Sequence, residues 1–316
     1  MRFIDHDEVA RRLTYDVCIP IVRDAMMAFS KGQTRQLLRT AIPLADGRLF
    51  FIMPGALGET AAFGAKLLSV FPQNPAHGRP SHQGIIALFD PSTGEPVCIL
   101  DAGAITAIRT GAASAVATDA LARPAARALA IAGYGHQAET HARAICKVRD
   151  IQSIRVWGRS PERAEAFCAR MRTALGLPVT SAANVAELVR EADIVCTVTS
   201  AREPILNGAW VRPGTHVNVV GSSIAGPVEV DNELVARSRF FVDSREGVMR
   251  QGSEFLNAKE AGLIGDEHIV AEIGQVLAGE VAGRGSDAEI TLYKSLGHVV
   301  QDLASAHALY SGVPAS

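Results

Sequence analysis

Residues 128–145, ALAIAGYGHQAETHARAI, decide the fold of this chain. The apolar run ALAIAG predicts a buried strand, GYGHQA a glycine turn, and the rest a helix. The turn reads G-x-G-x-x-A, in which Gly133 makes the tight turn, Gly135 lets the backbone approach a pyrophosphate, and small Ala138 lets helix and strand pack closely. The helix N-terminus attracts the anion. We therefore predict a dinucleotide-binding loop made of Gly133, Tyr134, Gly135, His136 and Gln137.

The same alternation of strand and helix continues beyond the loop. Strands are predicted in SIRVW, DIVCTVTS, GTHVNVV and RFFVDS, with short helical segments between them. This pattern indicates a parallel, doubly wound sheet. The preceding part of the chain mixes one long helix, over residues 6–32, with short strands, and residues 294–312 predict a last helix that returns to that part. We predict an α/β protein, with a Rossmann-type domain at 123–297 and an α+β domain at 1–122 and 298–316.

Composition restricts the function classes. The chain has 316 residues, is 48% hydrophobic and carries a formal net charge of -2, so nothing favours nucleic acid or an acidic membrane surface. Five scattered cysteines without a C-x-x-C pair suit a reducing compartment and predict neither disulfides nor a metal site. The N-terminus resembles no signal peptide, and no apolar run approaches the length of a membrane span. We expect a cytoplasmic protein.

The end of the second predicted strand bears on the choice of nucleotide. NAD-binding folds usually place Asp or Glu there to hold the ribose hydroxyls. Here Gly158, Arg159 and Ser160 follow the strand instead. A guanidinium and a hydroxyl can both meet a 2′-phosphate, although a surface arginine at a helix start is common. We expect NADPH in preference to NADH.

Three isolated cations precede the nucleotide fold. Arg109 lies in an alanine-rich helix, Lys66 in an apolar strand, and Arg39 in LLRTAI. A buried arginine needs a partner, and either a structural ion pair or a substrate carboxylate would satisfy it. Lys66 could extend its amine to solvent or, if buried with a lowered pKa, handle a proton. Together the three could form an anion pocket.

The chain resembles the ornithine cyclodeaminase/mu-crystallin family over nearly its whole length. The motifs that carry the resemblance, in order, are RTAIPL, IMPG, GAKL, SHQGIIALFDPSTGEP, ITAIRTGAASAVAT, GYGHQAETH, REPILNGAWVRPGTHVNVVGSS and KSLGHVVQDLASA, and they are closer to the mu-crystallin branch. The resemblance implies a substrate domain that also forms a homodimer, followed by the Rossmann domain. It implies that Arg39, Lys66 and Arg109 hold a substrate carboxylate, and that the nicotinamide lies near Thr199, Ser200 and Gly221. It also places Ser81, His82 and Lys294 near the cofactor, although His82 could be a packing residue and Lys294 a solvated lysine at a helix start.

Two positions depart from the cyclodeaminases of that family. Ser223 stands where they have an aspartate, and Phe51 where they have a glutamate that grasps the substrate's side-chain ammonium. An ammonium facing Phe51 would be desolvated without a partner. The departures favour reduction of a C=N bond beside a carboxylate, as in pyrroline-2-carboxylate or piperideine-2-carboxylate, with Lys66, Arg109 and Ser223 as catalytic residues and Phe51 as an apolar wall.

Two other classes stay open at this point. One is amino-acid deamination, by an ornithine cyclodeaminase or an alanine dehydrogenase type of enzyme. The other is a non-catalytic, NADPH-dependent ligand-binding protein, since the family includes such members.

Overall fold

The computed structural model describes residues 1–58 and 61–312. Its first elements are β1 (Arg2–Ile4), α1 (His6–Arg12), α2 (Tyr15–Ser30), β2 (Arg35–Gln36), β3 (Thr40–Pro43), β4 (Leu49–Ala56), β5 (Phe63–Val70), β6 (His82–Phe89), β7 (Pro96–Asp101) and α3 (Ala102–Leu121). The following elements are β8 (Ala128–Ala132), α4 (His136–Ile145), β9 (Ser153–Trp157), α5 (Pro161–Leu175), β10 (Val179–Ser181), α6 (Val185–Val189), β11 (Ile194–Thr197), β12 (His216–Val219), α7 (Asn232–Arg237), β13 (Arg239–Val242), α8 (Arg245–Gln251), α9 (Ser253–Glu260), β14 (Ile269–Glu272), α10 (Ile273–Leu277), β15 (Thr291–Lys294) and α11 (Val299–Ser311).

The chain divides into two compact units, Met1–Arg109 with His298–Ser316, and Thr110–Gly297. The first boundary falls inside α3, whereas the predicted one, at residues 122 and 123, falls just after that helix. Residues 313–316 of the predicted first domain lie outside the described residues. That substrate and nucleotide bind to separate domains with the predicted bounds stays a prediction.

In the first unit, a seven-stranded sheet runs in the order β1-β7-β6-β5-β4-β2, with β3 also paired to β4. Strands β4 to β7 are antiparallel neighbours, and α11 packs on β4, β5 and β6 and against α2. The helix approaches closely at Gly55, where a Cβ would lie 3.1 Å from Val299 and 3.2 Å from Leu303. Successive strand residues face opposite sides, so one side of this sheet lies under α11 and the other faces away from it.

In the second unit, an all-parallel sheet of eight strands has the order β10-β9-β8-β11-β12-β15-β13-β14. The first five strands follow the Rossmann order, in which the direction of winding reverses between β8 and β11. Its core strands are continuous apolar runs, such as ALAIA in β8, because helices cover both faces of such a sheet. The predicted fold class, a Rossmann-type sheet together with an α+β unit, is confirmed.

Two details of the predicted elements were wrong. Residues 6–32 form two helices, because Thr14 is extended (φ -66, ψ 164) between α1 and α2. The predicted last helix over residues 294–312 also starts too early, since Lys294 belongs to β15, which lies between β12 and β13 in the sheet. All four residues of β15 are buried, and α11 begins only at Val299, after Gly297 with φ +82. Lys294 therefore ends a central strand and does not begin a helix.

Of the helices in the described ranges, none combines the length and hydropathy that crossing a bilayer requires.

Candidate active site

The glycine loop has the geometry of an anion cradle. Gly133 directly follows β8 with φ +127, and a Cβ there would lie 2.8 Å from the carbonyl oxygen of Val198 after β11. Gly135 is the N-cap of α4, and a Cβ on it would meet open space. The loop therefore lies where the sheet reverses its winding. It leads into the N-terminus of the ten-residue helix α4, whose first backbone N–H groups can bind an anion. These residues fit the pyrophosphate of a dinucleotide, and His136 is exposed beside them.

The loop after β9 meets the glycine loop through an aromatic ring. A Cβ on Gly158 would overlap the ring of Tyr134, and the guanidinium of Arg163 lies 5.2 Å from the centre of that ring. Arg159 is exposed. Ser160 caps α5 by accepting from the N–H of Arg163, and it donates to Glu162 at 2.8 Å. The Ser160 hydroxyl is thus already engaged, and the contact predicted for Arg159 and Ser160 with a 2′-phosphate stays a prediction.

The ends of β11 and β12 bring Thr199 and Gly221 together. A Cβ on Gly221 would overlap the carbonyl oxygen of Thr199, so only glycine allows this approach. Ser200 is exposed and Ser223 is half-buried in the segment that follows β12. Polar groups at the carboxyl ends of parallel strands are where such folds place ligand contacts. The roles predicted for these residues toward the nicotinamide stay predictions.

Lys294 is fully buried, and its ammonium group binds the segment that follows β12. Its Nζ lies 2.6 Å from the carbonyl oxygen and 2.7 Å from the hydroxyl of Ser222, and 2.8 Å from the Glu254 carboxylate. The ammonium donates to both oxygens of Ser222, and the Glu254 carboxylate is its ion-pair partner. The predicted alternative of a solvated lysine is wrong, because the side chain of Lys294 is 0% exposed.

In the first unit, Lys66 and Arg109 meet one carboxylate. Lys66 Nζ donates to Oδ1 of Asp302 at 2.8 Å, and Arg109 Nε donates to the same oxygen at 3.0 Å. Arg109 also donates to Gln301 at 2.9 Å. The relative exposure is 1% for Lys66, 5% for Arg109 and 0% for Asp302. Both predicted readings of Arg109 remain compatible with this geometry, since it has an ion-pair partner and shares that partner with a second cation.

Burial and an excess of positive charge together shift the pKa values in this cluster. Burial lowers the pKa of Lys66 to about 8, Asp302 opposes this, and the cations Arg109 and Arg39 add to it. The carboxyl of Asp302 has a lowered pKa, because Arg109 and Lys66 outweigh the effect of burial. His298, at the start of α11, has its pKa lowered to about 4 by burial and by Arg39. The three predicted cations, Lys66, Arg109 and Arg39, therefore all influence the ionisation of groups in this one cluster.

The other predicted site residues of the first unit are Phe51, Arg39, Ser81 and His82. Phe51 is buried, and because Met53 pairs with Lys66 and Phe51 with Leu68, Phe51 and Lys66 share the sheet face under α11. Arg39 is half-buried just before β3. His82 opens β6, and its Nδ1 lies 2.9 Å from the hydroxyl of Ser81.

Among the described residues, sequence reasoning missed four buried carboxylates, Asp243, Glu229, Glu254 and Asp302. Asp302 had a usable signal, since it is the lone acid in the apolar stretch HVVQDLASA. Glu229 and Glu254 lie in mixed sequence, where an acid usually means a solvated surface. Among the described residues, no group of three or more His, Cys, Asp or Glu is arranged to hold a metal ion.

Comparison with known proteins gives consistent results. The model of the ornithine cyclodeaminase/mu-crystallin family matches residues 2–315. A Delta(1)-pyrroline-2-carboxylate reductase of Bacillus cereus is 36% identical over 98% of this chain and 96% of its own length. The ketimine reductase mu-crystallin of Rattus norvegicus is 36% identical with the same coverage, 98% and 96%. The structure of Thermococcus litoralis Delta(1)-pyrroline-2-carboxylate reductase in complex with NADH and L-proline superposes with a TM-score of 0.94, at 35% identity and covering 99% of both chains.

Proposed function

The chain belongs to the ornithine cyclodeaminase/mu-crystallin family, and on that premise we propose that it reduces a C=N bond adjacent to a carboxylate with a hydride from NAD(P)H. The proposed substrates are small cyclic imino acids such as pyrroline-2-carboxylate or piperideine-2-carboxylate. The products are the corresponding cyclic amino acid and the oxidised nucleotide.

The buried cluster around Asp302 carries this proposal. Two cations, Lys66 and Arg109, share one carboxylate oxygen, which leaves one positive charge uncompensated by that carboxylate. The charge of Arg39 also reaches this cluster, because it lowers the pKa of Lys66. A buried excess of positive charge is stabilised by an anion, and a guanidinium suits a carboxylate in particular. A substrate with one carboxylate meets this requirement.

Phe51 and Ser223 support an imine over a diamino acid. Phe51 brings an aromatic ring to the same sheet face as Lys66, so the part of the substrate beyond its carboxylate would meet an apolar wall. Methylene groups of a ring fit such a wall, whereas an ammonium group would lose its hydration without compensation. Ser223 offers a hydroxyl, which holds water or an amide but is no base near neutral pH.

The residues of this chain supply binding and proton transfer. The cofactor supplies the hydride, which adds to the imine carbon. Arg109 and Arg39 hold the substrate carboxylate, and Lys66, whose pKa burial lowers to about 8, delivers the proton that the imine nitrogen needs. Most of the acceleration comes from positioning and electrostatics.

The proposal is tested by a matrix of nucleotides and substrates. NADPH and NADH are each combined with pyrroline-2-carboxylate, with piperideine-2-carboxylate, and with pyruvate plus ammonia or methylamine, and oxidation is followed at the nicotinamide absorbance. In the reverse direction, NADP⁺ and NAD⁺ are each combined with ornithine, lysine and alanine, and ammonia release and nucleotide reduction are measured. Net consumption of nucleotide with a cyclic imine is expected. Ammonia release from ornithine without net turnover, or NAD reduction with alanine, would replace the proposal with deamination. Tight nucleotide binding without turnover on any substrate would replace it with a ligand-binding role.

We propose NADPH as the preferred nucleotide, with Arg159 as the residue that selects it. Arg159→Ala should raise the KM for NADPH about 10- to 100-fold and leave the KM for NADH nearly unchanged, because only NADPH has a 2′-phosphate for the guanidinium. Steady-state kinetics with both nucleotides measures this. Arg190→Ala, at an exposed arginine after α6, is the matched control. An equal change for both nucleotides would remove Arg159 from this role.

We propose a homodimer formed through the sheet face that α11 does not cover. Strand register places Ile42, Phe63 and Ile85 on that face, where they are 44%, 36% and 38% exposed. A second copy would bury these side chains. Ile85→Glu should therefore shift the protein toward monomer in light scattering after size exclusion. Met249→Glu, at a 37% exposed side chain of the second unit, is the control and should leave the mass unchanged.

A further inference from the structure

Glu229 is a buried carboxylate that the proposed mechanism does not use. It lies between β12 and α7 with 0% exposure, in the segment that carries Ser223. Its backbone is fixed, since its carbonyl oxygen accepts from the N–H groups of Ile205 at 2.9 Å and Leu206 at 3.1 Å. The carboxylate is thus held in one place before any ligand binds.

Four donors converge on this carboxylate from the ends of β11 and β12. Oε1 accepts from the N–H and the hydroxyl of Thr199, both at 2.7 Å. Oε2 accepts from the hydroxyl of Thr197 at 2.9 Å and the N–H of Gly221 at 2.6 Å. Glu229 therefore connects Thr199 and Gly221, two of the three residues predicted to lie beside the nicotinamide.

The charges around Glu229 do not cancel. We call Glu229, Glu254 and Lys294 the strand-end cluster: the N–H of Glu229 donates to Glu254 at 3.2 Å, and Glu254 pairs with Lys294 at 2.8 Å. Two carboxylates face one ammonium, which leaves a net charge of one negative unit when all three are ionised. Burial raises the pKa of Glu229 above its ordinary value and outweighs the opposing effects of Thr199, Thr197 and Lys294. The hydrogen-bond geometry acts against burial: each carboxylate oxygen accepts from a backbone N–H, of Thr199 and of Gly221, and an N–H cannot accept a hydrogen bond from a protonated carboxyl. The geometry therefore suits the ionised form.

We propose that Glu229 is a positioning residue that also holds a fixed negative charge at the nicotinamide end of the nucleotide site, so that the oxidised ring binds more tightly relative to the reduced ring. This inference rests on the proposed function. The reduced nicotinamide ring is neutral and the oxidised ring is a cation, so a nearby negative charge favours the state formed as hydride leaves. The hydride passes to the imine carbon, and no other oxidant or reductant takes part.

The test compares the affinities of two nucleotide forms and does not depend on turnover. Dissociation constants for NADPH and NADP⁺ are measured by titration with the wild-type protein and with Glu229→Gln. The ratio Kd(NADP⁺)/Kd(NADPH) should rise about tenfold in the variant. This is the order of the Coulomb effect expected when one negative charge is removed within about ten ångströms of a cationic ring in a partly polar site. A purely structural loss would weaken both forms alike and leave the ratio unchanged.

Thr197→Val is the matched control, because it removes one hydrogen bond to Glu229 and keeps the charge. Its ratio should equal that of the wild type. If Glu229→Gln does not fold, Glu254→Gln removes one unit of charge from the same cluster and should raise the ratio in the same direction. An unchanged ratio in a folded Glu229→Gln or Glu254→Gln protein overturns the inference alone. Failure of the wild type to bind either nucleotide overturns the proposed function and the inference with it.

Discussion

Replacing Lys66 by methionine should lower kcat/KM for a cyclic imine by about 10²- to 10⁴-fold, the usual range for losing a proton-transferring group. Methionine retains the length and apolar stem of the 1% exposed side chain but removes the ammonium beside Asp302. The dissociation constant for NADPH should not change, because the predicted nucleotide-binding loop lies in Thr110–Gly297 and Lys66 does not. Kinetics and nucleotide titration of the same preparation measure both.

The control for this substitution is Lys31→Met, at an exposed lysine after α2. It should leave both constants unchanged. In the wild type, the rate should also fall above pH 8, because burial lowers the pKa of Lys66 to about 8 and only its protonated form delivers a proton. Full activity of Lys66→Met would show that the proton comes from elsewhere.

The nucleotide loop could be predicted because its signals are local. Gly133 requires a positive φ at a fixed distance from a strand and a helix, and all of these lie within residues 128–145. The Rossmann sheet could also be predicted from the alternation of strands and helices, because each element is a continuous stretch of sequence with its own hydrophobic periodicity.

The partners of the buried charges could not be predicted in the same way. Lys66 and Asp302 are 236 positions apart, and nothing in the local sequence of either pairs them. The sequence around Lys294 predicts a helix, because the short stretch TLYK next to a helical pattern does not distinguish a buried strand from a helical turn. Its place in the sheet depends on β12 and β13 on either side.

Replacing Asp302 by asparagine should destabilise the protein more than any other single change at this site. Oδ1 receives both Lys66 and Arg109, while Oδ2 has no hydrogen-bond partner within the described ranges. An asparagine can therefore keep both contacts through its carbonyl oxygen and place its amide where Oδ2 was. The change removes the charge and leaves two buried cations without their counter-ion, at a cost of about 3–5 kcal/mol in the free energy of unfolding. Denaturant unfolding at pH 7 measures this loss.

The pH dependence and a double variant distinguish charge from packing. Because the folded-state pKa of Asp302 lies below the ordinary value of 3.8, its contribution is present above that pH and is lost as pH falls through the folded pKa. The difference between wild type and Asp302→Asn should therefore shrink in acid. Adding Lys66→Met to Asp302→Asn returns the group of Lys66, Arg109 and residue 302 to its original net charge of one positive unit. The double variant should then be more stable than Asp302→Asn alone, whereas a packing defect would make it less stable, since two buried contacts would be lost.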